Sequence, residues 1–271
     1  MKPPADFEMI VHACLELMHP VPGWLDHAEA RFLALALAAS PAAGANLEIG
    51  SFKGRSTVVL GSASKRWRLG KIVAVDPHTA ETIPDDAIRN RSTLEDLQET
   101  IRKSGLEEDV DVVKAYSRVV ATHWDQPLRF LWIDGDHSYA GVAEDFRLFS
   151  AHLADGAIVA MHDVLHPMDG PLRVFLEEIL GSDDFGPAGF CKSIGWAQYR
   201  PGRGSACRPQ RQMLARRARL LLPFTHPPVS RRSPWMRACE SIYDFLRIYV
   251  PNDERSPSDF MALLESRDGR S

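Results

Sequence analysis

Five short apolar runs, each ending at or beside a polar or acidic residue and each followed by a stretch of helical spacing, leave few folds open to this chain. The runs are Asn46 to Ile49, Lys71 to Val75, Val110 to Lys114, Arg129 to Ile133 and Gly156 to Met161. Helical patterns lie between them near Arg55 to Lys65, Ser92 to Lys103, Ser117 to His123 and Tyr139 to Leu153. Strands that are apolar on both faces and alternate with helices predict a parallel sheet covered on both sides. A further helix over Pro171 to Leu180 and two runs, Gly189 to Cys191 and Ile194 to Arg200, predict a hairpin that closes the sheet. The expected fold class is α/β, a doubly wound, mostly parallel, Rossmann-like sheet of about seven strands with a C-terminal antiparallel hairpin.

Two apolar-periodic stretches precede the sheet, Phe7 to Met18 and Asp26 to Ala39, with Asp26 placed to cap the second. Past Pro201 the strand–helix rhythm stops and arginine, proline and serine take over. Arg211 to Leu222 and Trp235 to Tyr249 keep helical spacing there. Their aromatics Trp235, Tyr243, Phe245 and Tyr249 need a surface to pack on. The expected division is 1–45 as N-terminal helices packing on the core, 46–200 as the ligand-binding domain, and 201–271 as a helical appendage serving as lid or dimerisation element.

The first strand turns into the first helix through Glu48-Ile-Gly-Ser-Phe-Lys-Gly-Arg-Ser-Thr57. In an open parallel sheet, the crevice at the carboxyl ends of the strands is where ligands bind. Gly50 permits a sharp turn and close approach to a ligand, Gly54 keeps the helix start near the strand, and Ser56 and Thr57 offer hydroxyls. The spacing is not GxGxxG, which weakens a dinucleotide reading. Glu48, just before the turn, suits a cationic sulfonium better than a pyrophosphate. The next strand ends in Asp76, positioned to accept hydrogen bonds from two ribose hydroxyls.

Two later strand ends carry the densest chemistry. Leu131-Trp-Ile-Asp-Gly-Asp-His-Ser-Tyr139 and Ile158-Val-Ala-Met-His-Asp163 bring Asp134, Asp136, His137, His162 and Asp163 to the same rim. An aliphatic hydroxyl hardly ionises at neutral pH. Attack by such an oxygen is helped by a divalent cation that stabilises an alkoxide and by a base that takes the proton. Bland roles compete: Asp136 as a solvated turn residue, Ser138 as a helix cap, and His162 as a buried structural histidine.

With the Glu48–Thr57 loop, Asp76 and these strand ends, the stretch from Asn46 to Arg200 resembles the class I S-adenosylmethionine-dependent methyltransferases. Within them it is most similar to the metal-dependent O-methyltransferases that act on sugars of macrolides and polysaccharides. The resemblance implies S-adenosylmethionine as cofactor, with Glu48, Gly50 and Ser51 at its methionine moiety, Asp76 at its ribose and Tyr116 and Ser117 at its adenine. It also implies a divalent metal, Mg²⁺ by expectation, bound by Asp134 and Asp163, with His137 as the base. His162 departs from the family's oxygen ligand. It is expected either to complete the metal set or to orient Asp163 or the acceptor. Asp134, Gly54 and Ser56 complete the expected cofactor contacts. A histidine rather than a lysine at 137 points to a sugar, glycoside or polysaccharide hydroxyl as acceptor. The alternatives are a catechol-like or polyketide hydroxyl, or an antibiotic-tailoring hydroxylase of the same fold.

Composition bounds the partners. The chain is 45% hydrophobic and 25% charged with a net charge of -4, so a small-molecule or oligosaccharide acceptor is expected rather than nucleic acid. Between Asp184 and Glu240 there is no acidic residue, while Lys192 and ten arginines from Arg200 to Arg237 fall in that stretch. The basic appendage could hold an acidic or extended acceptor, or be a partner-binding surface, and a homo-oligomer is expected. Cys14, Cys191, Cys207 and Cys239 are widely spaced, and no apolar run approaches the roughly 20 residues of a membrane span. A cytoplasmic location with reduced thiols follows as the expectation.

Overall fold

The computed structural model describes residues 2–79, 93–226, 233–252 and 254–266. Its strands are β1 (Ala45–Ile49), β2 (Ile72–Val75), β3 (Val110–Val113), β4 (Leu128–Ile133), β5 (Leu153–Met161), β6 (Phe185–Cys191) and β7 (Ile194–Tyr199). They form one sheet in the order β3-β2-β1-β4-β5-β7-β6. The first five are parallel, and β7 runs antiparallel to both β5 and β6. This is the mostly parallel, doubly wound sheet with a terminal hairpin that the apolar runs predict. The strand order reverses at β1, whose neighbours are β2 and β4, and a ligand crevice belongs at such a point.

The helices are α1 (Phe7–Met18), α2 (His27–Ala39), α3 (Arg55–Trp67), α4 (Thr93–Lys103), α5 (Ser117–Ala121), α6 (Tyr139–Ser150), α7 (Asp169–Val174), α8 (Arg208–Ala218), α9 (Pro234–Arg247) and α10 (Pro257–Glu265). Successive strand residues point to opposite layers. Phe130, Trp132, Ile158 and Ala160 join the core beneath α1, α2, α3 and α10. Leu131, Ile133, Val159 and Met161 join the core beneath α6, α7 and α8. α10 closes the first core, with the Phe260 ring 4.8 Å from Trp196 and 5.5 Å from Phe32.

Several boundaries differ from the sequence expectation for identifiable reasons. α6 ends at Ser150, not Leu153, because Leu153 already pairs with Leu128 and the Leu128 amide bonds the His152 carbonyl at 2.7 Å. β5 consequently begins before Gly156, which bends it at φ +92°. β6 begins at Phe185 rather than Gly189, since a register shift between Phe185 and Ala188 absorbs Pro187. The helix over Pro171 to Leu180 widens into a π-helical turn at Phe175–Leu180. Pro209 in the first turn starts α8 three residues early. The chain after Ala218 tightens into a 3₁₀ turn, Arg219–Phe224, that contains Pro223. α10 was not anticipated, although Ser256 followed by Pro257 is a helix-start signature: the Ser256 side chain accepts the Asp259 amide. Ser92, Arg231 and Arg232 lie outside the described residues.

No described helix is long and apolar enough to cross a membrane.

Candidate active site

The turn after β1 is built by local backbone chemistry. Gly50 has φ +89°, and a Cβ there would lie 2.1 Å from the Asp134 carbonyl oxygen, so only glycine lets β1 and β4 end this close together. The Phe52 amide donates to Asp76 Oδ2 at 2.8 Å and the His78 amide donates to Asp76 Oδ1 at 2.6 Å. Asp76 thus ties the loop to the end of β2 while keeping oxygen lone pairs for a ligand. Arg55 anchors the loop from behind, donating to the carbonyls of Met18, Val21 and Leu25 between α1 and α2. The Trp24 ring then stands 5.6 Å from Phe52.

A cavity of about 770 Å³ opens over this turn. Gly50, Ser51, Ser56, Asp76, Tyr116, Ser117, Asp134, His137, His162 and Asp163 all line it, so one space gathers most of the residues singled out from sequence. Two stand back. Glu48 is fully buried, its carboxyl accepting the Ser56 hydroxyl at 2.5 Å and the Thr57 hydroxyl at 2.7 Å. Gly54 packs against Leu97 and Thr100, and a Cβ there would come within 2.8 Å of Leu97 Cδ1. Both shape the start of α3 from behind the wall and do not face the cavity.

Burial pushes the Glu48 carboxyl up to about 8, and the nearby carboxylates of Asp134 and Asp76 add to it, against the two hydroxyls. A carboxyl raised above its unfolded value of about 4.3 favours folding at low pH and loses that contribution as pH rises towards 8. The difference in unfolding free energy between wild type and Glu48→Gln is therefore expected to move against the wild type from about pH 5 to about pH 8. Urea unfolding at both pH values measures it.

The ends of β4 and β5 form the reactive cluster. Donor atoms of Asp134, His162 and Asp163 all lie within 4.8 Å of one another. His162 Nδ1 is 3.1 Å from Asp134 Oδ1 and 3.6 Å from Asp163 Oδ1, while its Nε2 is 3.4 Å from Glu29 Oε2. His137 Nε2 stands 2.9 Å from Asp163 Oδ2, an ion pair without hydrogen-bond alignment, so this buried nitrogen has no hydrogen bond. Asp163 takes a left-handed backbone, φ +55°, to aim its carboxylate here, a conformation aspartate tolerates better than most residues.

Electrostatics follow the geometry. Burial disfavours charge on His162, yet Asp134, Asp163 and Glu29 together raise it well above the ordinary imidazole range. His137 is raised as well, burial being outweighed by Asp163 and Asp134. Burial likewise opposes ionisation of Asp163, but the two imidazoles hold it below the usual carboxylate range. Glu29 falls to about 2, burial being offset by His162 and the Asp26 and Ser193 hydrogen bonds. The cluster is a place built for positive charge between carboxylates.

A divalent ion fits this donor set. Each of the three offers one ligand atom, and the group is close enough that small side-chain adjustments would let it hold a metal ion. Two carboxylates and an imidazole suit several first-row divalent ions as well as magnesium.

Glu29 was the main omission from sequence. It is the third residue of α2, and Asp26 and Glu29 form a reciprocal capping box at 2.8 and 3.0 Å. The pattern Asp26-x-x-Glu29 signals such a box, but nothing in sequence shows that Glu29 also accepts the Ser193 amide and hydroxyl in the β6–β7 turn and faces His162. Asp136 accepts the Ser138 amide and hydroxyl, and Ser138 in turn accepts the Gly141 amide, so both act as a turn and helix cap.

A family model described as a methyltransferase domain matches residues 47–164, from β1 to just past Asp163. Residues 47–164 are thus similar to a methyltransferase domain. Solved structures agree at the level of fold. The O-methyltransferase TomG from Streptomyces achromogenes, involved in tomaymycin synthesis and solved with SAM, is 19% identical, covering 73% of this chain and 91% of its own at a TM-score of 0.50. The O-methyltransferase NovP is 11% identical, covering 72% and 98% at 0.54. Cofactor-bound Rv0187 from MTB is 18% identical, covering 72% and 91% at 0.51. The chain thus shares the Rossmann-like fold of these methyltransferases, and its candidate site lies at that fold's strand ends.

Proposed function

We propose that this chain transfers a methyl group from S-adenosylmethionine to a hydroxyl of a sugar, glycoside or polysaccharide precursor, assisted by a divalent ion, Mg²⁺ being the expected one. The observation that carries the proposal is the sharing of one cavity by Asp76 and by the Asp134–His162–Asp163 group. One end of that cavity suits an adenosine ribose and the other suits a metal-activated hydroxyl.

In this reading, Asp76 accepts the two ribose hydroxyls, Gly50 and Ser51 border the methionine end with Asp134 and Ser56 nearby, and Tyr116 and Ser117 flank the adenine. Glu48 and Gly54 keep the loop in shape. Asp134, His162 and Asp163 hold the ion, with Glu29 accepting from His162 Nε2 so that Nδ1 faces the two carboxylates. A bound divalent cation would stabilise the developing alkoxide and offset the carboxylates' pull on the His137 proton. His137, which lines the cavity with its Nε2 beside Asp163, takes the acceptor's proton. The preference for a sugar rests on histidine at 137.

The acceptor end is roofed by Trp24, Lys192, His226 and Arg247, which line the same cavity. We propose on that basis that 1–45 and 201–271 act as cover over a catalytic unit spanning 46–200. Tyr243 secures α9, its hydroxyl donating to the His166 carbonyl at 2.9 Å. The same helix exposes Trp235, Ile242 and Phe245, and Tyr249 just past its end is exposed too; a homo-oligomer joined through that face belongs to the proposal.

Titration calorimetry with S-adenosylhomocysteine tests cofactor binding. Wild type is expected to bind it in preference to NAD⁺, and Asp76→Ala is expected to weaken it roughly 30-fold through two lost charge-assisted hydrogen bonds. Unchanged affinity in Asp76→Ala would remove the ribose assignment.

A further inference from the structure

Arg247, in the last turn of α9, is half-buried and lines the cavity, as do His166, Pro167, Met168 and His226. Among the described residues its guanidinium forms no ion pair and donates no hydrogen bond. Elsewhere in the fold such arginines are matched: Arg55, Arg129 and Arg200 donate to backbone carbonyls, and Arg211 meets Asp183. The other cations of the roof are matched as well, Lys192 Nζ lying 3.2 Å from Glu254 and His226 Nε2 3.0 Å from Glu240. The helix dipole favours a cation in the last turn of α9, which accounts for its place along the helix but not for its place in the cavity wall. A half-buried charge without a partner is costly until something neutralises it.

The position says what could neutralise it. Tyr243 precedes Arg247 by one helical turn on the same face of α9. Its hydroxyl donates to the His166 carbonyl at 2.9 Å, and the His166 amide donates to the Asp163 carbonyl at 3.1 Å. Arg247 is therefore carried on the helix face strapped to the chain that follows β5, whereas Asp76 and Tyr116 lie beyond β1, at the ends of β2 and β3. The cation belongs to the half of the cavity left to the acceptor. We propose that Arg247 receives an oxyanion group carried by the acceptor sugar, a carboxylate or a phosphate, so that the acceptors are anionic glycosides. The planar guanidinium fork matches either oxyanion with two parallel hydrogen bonds. An oxyanion at Arg247 and a hydroxyl at the Asp134–His162–Asp163 group fix the sugar at two points, which orients that hydroxyl for transfer. The inference deepens the proposed glycoside methylation and rests on it.

Calorimetric titration of the full chain, saturated with S-adenosylhomocysteine and Mg²⁺, with glucuronate, glucose 6-phosphate and glucose tests this. Wild type is expected to bind at least one of the two anionic sugars about 30-fold more tightly than glucose. The anion that holds the advantage tells carboxylate from phosphate. Arg247→Gln is expected to reduce the advantage to about 3-fold or less, and Arg247→Lys, which keeps the charge but loses the fork, to about 10-fold. The lysine variant carries the test should the glutamine variant fail to fold. Glucose bound as tightly as both anions by wild type, or none of the three sugars bound, would overturn the proposal. So would an anion preference unaltered in Arg247→Gln, since the metal would then hold the anion. The two readings fail separately: an anion preference lost in Arg247→Gln without methylation of any sugar upholds the role of Arg247 and removes glycoside methylation, whereas methylation of neutral glycosides with no gain from an anion does the reverse.

Discussion

His137→Ala is expected to lower the rate of methyl transfer by about 10²–10⁴-fold, the usual contribution of a positioned general base, with S-adenosylhomocysteine affinity nearly unchanged. His137 Nε2 is held beside Asp163 without a hydrogen bond of its own, and its side chain does not help form the turn after β1. Single-turnover kinetics with labelled S-adenosylmethionine, alongside ligand titration, separate transfer from binding. Loss of both together would make His137 a structural residue. A partial recovery of transfer at high pH in the alanine variant would support proton removal as its role.

Asp163→Asn is the second large effect. Asparagine keeps the shape and accepts the left-handed backbone at φ +55°, so the change removes charge with little strain. With one carboxylate gone, the affinity for Mn²⁺ is expected to fall by about 100-fold or more, and transfer by about 10³-fold, on the scale of several kcal/mol of charge stabilisation. Mn²⁺ titration by electron paramagnetic resonance reads the first directly. The variant also frees His162 and His137 from a charge that holds both imidazoles above their ordinary range, so their titration by NMR should move down. Unaltered Mn²⁺ affinity would show that the cluster is an ion-pair network and no metal site.

The sheet was legible in the sequence because β2, β4 and β5 are largely apolar on both faces, and such runs have few other uses. Where the expectation slipped, pairing overrode composition. Leu153 carries helical spacing but is claimed by Leu128 across the sheet, and Phe185 lies beyond a proline that the register shift absorbs. The rim from Asp134 to Asp163 was legible for a related reason, since polar residues that end buried strands have to surface at one edge. Distances beyond that edge were not. Glu29 lies 133 residues from His162 in sequence and reaches it because the first turn of α2 is tied to Ser193 in the β6–β7 turn. Glu48 illustrates the converse: its position before the turn is as expected, but Ser56 and Thr57 turn its carboxyl inward.

The most direct measurement is methyl transfer from labelled S-adenosylmethionine to a set of vicinal-diol glycosides, with product mass recorded before chelation, after EDTA, and after Mg²⁺ is restored. The expected result is a product heavier by one methylene, lost with EDTA and regained with Mg²⁺. Transfer undiminished by thorough chelation, or a product heavier by one oxygen instead, would contradict metal-assisted O-methylation at the Asp134–His162–Asp163 site.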